Sequence, residues 1–142
     1  MTDHAVQEAV QAVREGRMVV LADDEARESE GVLVLAAERV SPEAVNFMAR
    51  EARGIICVAL TGERLEALRI PVMVADQPAS GDLTFCVSVD ARAGTSTGIS
   101  AQDRAVTIRT LVDPKTRPED LGRPGHIFPL RAKEGGVLTR AG

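Results

Sequence analysis

Two short apolar runs constrain the fold of this chain more than any other feature. "RMVVLA" (residues 17–22) and "GVLVLAA" (residues 31–37) are each typical of a buried strand. Between them lies "DDEARESE" (residues 23–30), which contains five carboxylates and one arginine. The sequence therefore predicts two core strands joined by an acidic loop, and a loop held by rigid elements is a common place for a functional site.

Helices are predicted in four places. Apolar residues at i, i+3, i+4 and i+7 indicate an amphipathic helix over residues 4–15, which ends at a glycine. Three further helices begin at the capping residues Ser41, Thr61 and Ser100. The first of these is expected to run to about residue 52 and the second to residue 68, and Asp103 completes a capping-box spacing in the third.

The remaining segments favour a single α+β domain. "IICVAL" (residues 55–60) and "LTFCVSV" (residues 83–89) are predicted strands, and residues 113–126, rich in proline and glycine, are predicted to be irregular but ordered. Helices and strands do not alternate strictly, which favours a mixed sheet with flanking helices over a doubly wound fold. With 142 residues and 44% apolar content, the whole chain is expected to form one compact domain.

Charge and composition exclude several kinds of partner. The net charge of −4 argues against nucleic acid and anionic membranes, and three phenylalanines without tryptophan or tyrosine offer little for base stacking. Residues 104–140 contain eight Lys or Arg and four Asp or Glu, so +4 lies there and −8 lies in residues 1–103. Such a distribution suits a substrate that contacts both a cation site and an anion site, although ordinary scatter of solvated charge gives the same pattern.

Cysteine usage and hydropathy indicate a cytoplasmic protein. Cys57 and Cys86 lie in apolar stretches without CxxC spacing, which predicts reduced core thiols and argues against a structural zinc site. The sequence shows neither an N-terminal apolar h-region nor a stretch approaching 18 apolar residues, so secretion and membrane spanning are not expected.

Four motifs could carry chemistry. The acidic loop offers oxygen ligands for Mg²⁺ or Mn²⁺, but a solvated loop is the simpler interpretation. "AGTSTGISAQDR" could present N–H groups and hydroxyls (Thr95, Ser96, Thr97, Ser100) to a phosphate, or could be ordinary helix capping. His126, in "RPGHIFPLRA" after a Pro-Gly turn, could be a general acid or base or a structural histidine. Arg140 could bind phosphate or be solvated.

Five motifs together resemble the 3,4-dihydroxy-2-butanone 4-phosphate synthase family, in the family's order: "DDEARESEG", "GIICVAL", "TSTGISAQDRAVTIR", "RPGHIFPLRA" and "GGVLTRAG". The resemblance implies conversion of ribulose 5-phosphate to 3,4-dihydroxy-2-butanone 4-phosphate and formate in riboflavin biosynthesis. It also implies a need for Mg²⁺ or Mn²⁺ and a homodimer with active sites at the subunit interface.

The resemblance also implies roles for individual residues. Glu28 corresponds to a metal ligand, and His126 corresponds to a catalytic histidine contributed at the dimer interface. The other implied catalytic residues are Glu30 and Asp103. The implied substrate- and phosphate-binding residues are Arg27, Thr97, Arg104 and Arg140.

The sequence departs from the family pattern at several positions. Ala26 and Val32 each replace an aspartate, and Ser29 replaces an asparagine. The family continues beyond "GGVLTR" with a histidine that is the second metal ligand and then a glutamate, so weak or absent metal binding is expected here. Two alternatives therefore stay open: a diverged homologue that acts on another small substrate, and a non-catalytic dimeric scaffold. An oligomer burying a large apolar interface is also expected.

Overall fold

The computed structural model describes residues 3–22, 31–75 and 83–136. Four α-helices are present in these ranges: α1 (Asp3–Arg14), α2 (Pro42–Phe47), α3 (Gly62–Ala67) and α4 (Ala101–Val112). The strands are β1 (Val19–Ala22), β2 (Gly31–Val34), β3 (Cys57–Leu60), β4 (Thr84–Phe85), β5 (Val89–Ala91) and β6 (Leu121–Arg131). A π-helical turn, Met48–Ala52, extends α2, and two short 3₁₀ turns cover Ala37–Arg39 and Pro118–Asp120.

Strand β6 organises the main sheet. It pairs in parallel with β3 and antiparallel with β4 and β5, so the sheet is mixed, and β1 and β2 form a separate antiparallel hairpin. The predicted α+β class is therefore confirmed. None of the helices in the described ranges has the length and hydropathy needed to span a bilayer.

The predicted helix starts are confirmed at atomic detail. The Ser41 and Thr61 hydroxyls accept hydrogen bonds from the first-turn N–H groups of α2 and α3, each at 3.2 Å. The Ser100 hydroxyl accepts from the Asp103 N–H at 3.0 Å and begins α4. Each bond satisfies a backbone donor that has no partner within its helix.

One hydrophobic core lies between the helices and the main sheet. Helix α4 packs on α2 on one side and on β5 and β6 on the other. The most deeply buried side chains are each at most 1% exposed and include Val45, Leu65, Leu68, Leu111, Leu121 and Ile127. The core thus fixes α4 and β6 relative to each other.

The prediction that β1 and β2 are core strands was wrong. They form a two-stranded ribbon outside the main sheet, and its apolar side chains are largely exposed: Val20 at 65%, Leu21 at 54% and Val32 at 58%. A two-stranded ribbon has no third strand or packed layer to cover both faces. Apolar periodicity identified the strands correctly but could not show what covers them.

Two further predictions need correction. "LTFCVSV" is not one strand, because β4 ends at Phe85 and β5 begins at Val89. Between them the Cys86 N–H donates to the Pro129 carbonyl of β6, and Cys86 forms an isolated bridge with Val72. Residues 121–126 belong to strand β6 and do not form an irregular surface segment, and the Arg123–Pro124 peptide within this part of the strand is cis. Gly125 permits β6 to lie close to β5, since a Cβ at this position would overlap the Val89 backbone.

Candidate active site

A bulge in β6 brings His126 against Asp90. In the β5–β6 ladder Val89 pairs with Ile127 but the next residue, Asp90, pairs with Gly122. Residues 123–126 therefore lie between two consecutive pairs without partners of their own on β5. Such bulges re-aim side chains and are common beside active sites. His126 consequently lies in a bulged strand, and the Pro-Gly dipeptide before it does not form the turn that the sequence predicted.

Asp90 contacts His126 at two points. The His126 backbone N–H donates to Asp90 Oδ1 at 2.8 Å, and His126 Nδ1 lies 2.8 Å from Asp90 Oδ2. The His126 side chain is 39% exposed and the Asp90 side chain is 18% exposed. Among the described residues, the hydrogen bonds of His126 use its backbone N–H and Nδ1 and leave Nε2 for another molecule. A half-exposed imidazole held in this way can act as an acid or a base near neutral pH.

Gly98 packs directly on this pair. Its φ of +88° lies in the left-handed region, and a Cβ at this position would overlap the Asp90 carboxylate and lie 2.8 Å from His126 Nδ1. Glycine is thus required for two independent reasons, conformation and space. The contact places the "TSTG" loop beside the imidazole.

Asp103 holds that loop in place. Its carboxylate accepts hydrogen bonds from the Gly98 N–H at 2.9 Å, the Ser96 N–H at 3.1 Å and the Ser96 hydroxyl at 3.0 Å. The Gly98 bond is the largest cause of a lowered Asp103 pKa, with the Ser96 bonds adding to it against the opposing effect of burial. Asp103 is 5% exposed. The carboxylate is therefore directed at the loop, and its part in a reaction stays a prediction.

The predicted phosphate cradle is largely used by the protein itself. The N–H groups of Ser96 and Gly98 donate to Asp103 and are therefore not free for a phosphate, one of the two uses that the sequence left open for this segment. The Thr95 hydroxyl donates to the Ala91 carbonyl, and the Ser100 hydroxyl accepts from the N–H of α4. Thr97 is exposed beside Gly98 and is the remaining hydroxyl of the predicted set.

Arg104 lies in the first turn of α4, one residue beyond Asp103. Its side chain is half-buried, and its Nε atom is buried without a hydrogen-bond partner among the described residues. An unpaired guanidinium nitrogen is a strong donor for an anion. The structure thus places one predicted substrate-binding residue, Thr97, beside Gly98, which packs against His126, and another, Arg104, on the helix that holds Gly98 through Asp103.

The other predicted site residues lie outside the described part of the chain: Arg27, Glu28, Glu30 and Arg140. Ala22 pairs with Gly31, so both ends of the acidic segment are attached to one hairpin. Among residues 3–22, 31–75 and 83–136, no group of three or more His, Cys, Asp or Glu side chains could hold a metal ion.

Sequence reasoning missed Asp90. This residue follows directly after the predicted strand "LTFCVSV" and is 36 positions from its partner in sequence. The signal available was an acid at the end of an apolar strand, which is weak by itself. The pairing depends on the β5–β6 register and the bulge, and neither can be read from local sequence.

Comparison with known proteins identifies close relatives. A family model described as 3,4-dihydroxy-2-butanone 4-phosphate synthase matches residues 7–142. The riboflavin biosynthesis protein RibBA of Synechocystis sp. is 56% identical over 140 residues, which are 97% of this chain and 25% of that protein. The 3,4-dihydroxy-2-butanone 4-phosphate synthase of Agrobacterium fabrum is 51% identical over 142 residues, which are 100% of this chain and 67% of that protein.

The fold is also found in solved structures. A crystal structure of 3,4-dihydroxy-2-butanone 4-phosphate synthase in complex with two magnesium ions matches with a TM-score of 0.89 and 46% sequence identity. The match covers 96% of this chain and 64% of that one. The chain therefore spans from one quarter to about two thirds of the length of these relatives.

Proposed function

This chain belongs to the 3,4-dihydroxy-2-butanone 4-phosphate synthase family, and on that premise we propose that it converts ribulose 5-phosphate to 3,4-dihydroxy-2-butanone 4-phosphate and formate. The observation that carries this proposal is the His126–Asp90 pair beside the "TSTG" loop, where His126 and Gly98 bring two of the family's motifs together. The level of identity favours this reaction over a different substrate and over a non-catalytic scaffold. We further propose that residues 1–142 correspond to the N-terminal two thirds of the synthase fold.

The reaction requires proton movement at several carbon and oxygen atoms. Enolisation removes a proton from carbon, and dehydration delivers a proton to a leaving hydroxyl and releases one water. After the skeletal rearrangement one water adds back, and formate is released. The atoms balance as one formate and one four-carbon phosphate for each ribulose 5-phosphate. His126 Nε2 is the atom on the described residues that is suited to exchange these protons, with Glu30 and Asp103 as further acid–base candidates.

A divalent cation fits the acidic segment by the chemistry of its donors. Five carboxylates within residues 23–30 supply the oxygen ligands that Mg²⁺ or Mn²⁺ prefers, and Glu28 is the proposed ligand. A relative has been solved in complex with two magnesium ions. When bound, the ion would polarise the sugar oxygens and favour loss of the neighbouring protons.

Substrate binding is proposed to depend on four residues. Arg27 and Arg140 would hold the phosphate by charge-assisted hydrogen bonds. Thr97 and Arg104 extend this set from the loop and helix that contact Gly98, and the buried Nε of Arg104 supports an anion nearby. His126 would thus act on carbon atoms of a substrate fixed at its phosphate end.

The exposed hairpin supports a homodimer. Val20, Leu21 and Val32 are each more than half exposed, and Phe47 on the adjoining helix is 49% exposed. A patch of this kind is typical of a protein interface. A second copy of the chain across the hairpin would cover it.

The two free cysteines support a cytoplasmic location for such an enzyme.

The test is formate release from ribulose 5-phosphate in the presence of Mg²⁺. The His126→Gln variant should lose at least about 100-fold in kcat, since general acid–base catalysis contributes about 10²–10⁴-fold. His4→Gln is the matched control, because His4 is an exposed residue on α1 that pairs with Glu8. The proposal fails if wild-type protein releases no formate or if both variants keep full activity.

A further inference from the structure

We propose that Asp90 is a positioning residue that fixes His126 in the tautomer protonated at Nδ1, so that Nε2 is the atom that exchanges protons with the substrate. This inference rests on the proposed function, because it specifies how the same site works. It concerns a residue that the family motifs in the sequence did not single out.

The tautomer follows from the chemistry of the two contacts. An ionised carboxylate has acceptors only, and Asp90 Oδ2 lies 2.8 Å from His126 Nδ1. The proton between them must therefore belong to Nδ1. In the neutral ring Nε2 then carries the lone pair. The second contact, from the His126 backbone N–H to Oδ1 at 2.8 Å, prevents the carboxylate from rotating away.

Asp90 is itself held on both sides along the strand. Its neighbours Val89 and Ala91 are 0% and 3% exposed. The Ala91 N–H donates to the Thr107 hydroxyl at 2.9 Å, and that hydroxyl donates to the Asp103 carbonyl at 3.1 Å. Strand β5 is thus tied to helix α4 at the residue that follows Asp90.

The "TSTG" loop completes the enclosure of this carboxylate. The Asp103 side chain holds the Gly98 N–H at 2.9 Å, and Gly98 packs on both Asp90 and His126. A carboxylate with a glycine on one face and two donors on its oxygens has one position available. These contacts form a closed circuit. Asp90 is joined through its neighbour Ala91 to Thr107, Thr107 to Asp103, Asp103 to Gly98, and Gly98 to Asp90. A catalytic group requires rigid support of this kind.

A histidine–aspartate contact that served only to hold two strands together would differ from the one between His126 and Asp90. Such ties are generally buried, whereas the His126 side chain is 39% exposed with its Nδ1 edge covered. The geometry protects one nitrogen and presents the other, as expected for an orientated acid or base.

Asp90→Asn is the discriminating variant. Asparagine has the shape of aspartate, and its Oδ1 can still accept from the His126 backbone N–H. Its NH₂ group then faces Nδ1 and donates to it, which forces the proton onto Nε2. Rotation of the amide would bring two donors together at the backbone contact, so the reversed tautomer is the stable one.

Nitrogen-15 NMR of the histidine rings reads the tautomer directly. The chain contains two histidines, and His4→Gln assigns their signals. We expect the wild-type neutral ring to be protonated at Nδ1 and the Asp90→Asn ring at Nε2. We also expect kcat to fall about 100-fold or more in the variant, with KM changed less than about threefold. Asp113→Asn is the matched control, because Asp113 is an exposed carboxylate that accepts one backbone N–H, and neither readout should change.

Two results would overturn the assignment. One is a wild-type ring protonated at Nε2, and the other is full kcat in a folded Asp90→Asn variant whose tautomer is reversed. Absence of formate from wild-type protein would instead overturn the proposed reaction, while the NMR spectrum would still decide the tautomer. Failure of the reaction and failure of the Asp90 assignment are thus separately observable.

Discussion

Replacing Gly98 by alanine should disable the site through one added methyl group. Gly98 has φ = +88°, and the new Cβ would overlap the Asp90 carboxylate and lie 2.8 Å from His126 Nδ1. Gly94, in the same segment, has φ = +75°, but the nearest atom to its added Cβ would be a Val106 methyl at 3.7 Å, an ordinary contact. The two variants therefore share the conformational cost and differ in the clash.

The magnitudes follow from these two terms. An L-residue in the left-handed region costs roughly 1–2 kcal/mol, which both variants should lose in free energy of unfolding. Displacing the Asp90 carboxylate leaves the His126 N–H without its acceptor, which costs a further ~1–3 kcal/mol for a buried donor. Gly98→Ala should therefore be about 1–3 kcal/mol less stable than Gly94→Ala.

Urea unfolding and the formate assay together test this reasoning. Gly98→Ala should also lose at least about 100-fold in kcat, because the imidazole is no longer held by Asp90. Gly94→Ala should retain most of its activity. Equal stability and equal activity for the two alanine variants would refute the proposed contact between the loop and the His126–Asp90 pair.

Three further predictions concern the Asp103 carboxylate that holds the "TSTG" loop, the Thr107 hydroxyl that ties β5 to α4, and the exposed hairpin of β1 and β2. Since the pKa of Asp103 is lowered in the folded protein, its carboxylate stabilises the fold above its ordinary pKa of about 3.9, and this contribution is lost as the pH falls below that value. Asp103→Asn should therefore lose less stability than wild type between about pH 5 and about pH 3 in urea titrations. Thr107→Val should lower the free energy of unfolding by about 1–3 kcal/mol, because the buried Ala91 N–H loses its acceptor. Leu21→Asp should convert a dimer of 15.1-kDa chains into monomers in light scattering, because Leu21 lies on the exposed apolar hairpin.

The Thr107 and Leu21 predictions each have a matched control. Thr110→Val removes a half-buried hydroxyl that bonds only within α4, and it should cost less than about 0.5 kcal/mol. Ile55→Asp changes an apolar residue that is 58% exposed outside the hairpin, and the dimer should persist. The Asp103 prediction is contradicted if Asp103→Asn loses more stability than wild type as the pH falls. The Thr107 prediction is contradicted if both threonine variants lower the free energy of unfolding equally. A monomeric wild-type protein contradicts the hairpin prediction.

The helices could be predicted from sequence because their signals are local. Ser41, Thr61 and Ser100 each bond to an N–H three residues later, so the capping residue and its partner lie in one short window. The strands β1 and β3 were found by their apolar runs for the same reason. Strand β6 was not predicted, because Pro124 and Gly125, which lie in its first half, are also residues that mark a turn.

The candidate site was predictable where one residue carries the chemistry and not where two must meet. His126 was singled out as one of two histidines in the chain. Asp90 was not, because its role depends on a four-residue bulge in a strand that begins 31 positions later in the sequence. The exposure of Val20 and Val32 was likewise not predictable, since what covers an apolar strand is decided by the topology of the whole sheet.

The stoichiometry of formate release tests the central proposal most directly. Purified protein with Mg²⁺ should release one formate for each ribulose 5-phosphate consumed, because the five carbons divide into formate and a four-carbon phosphate. Chelation of the cation should stop the release. Consumption of ribulose 5-phosphate without formate, or no consumption at any enzyme concentration, would contradict the proposal that this chain catalyses the reaction of its family.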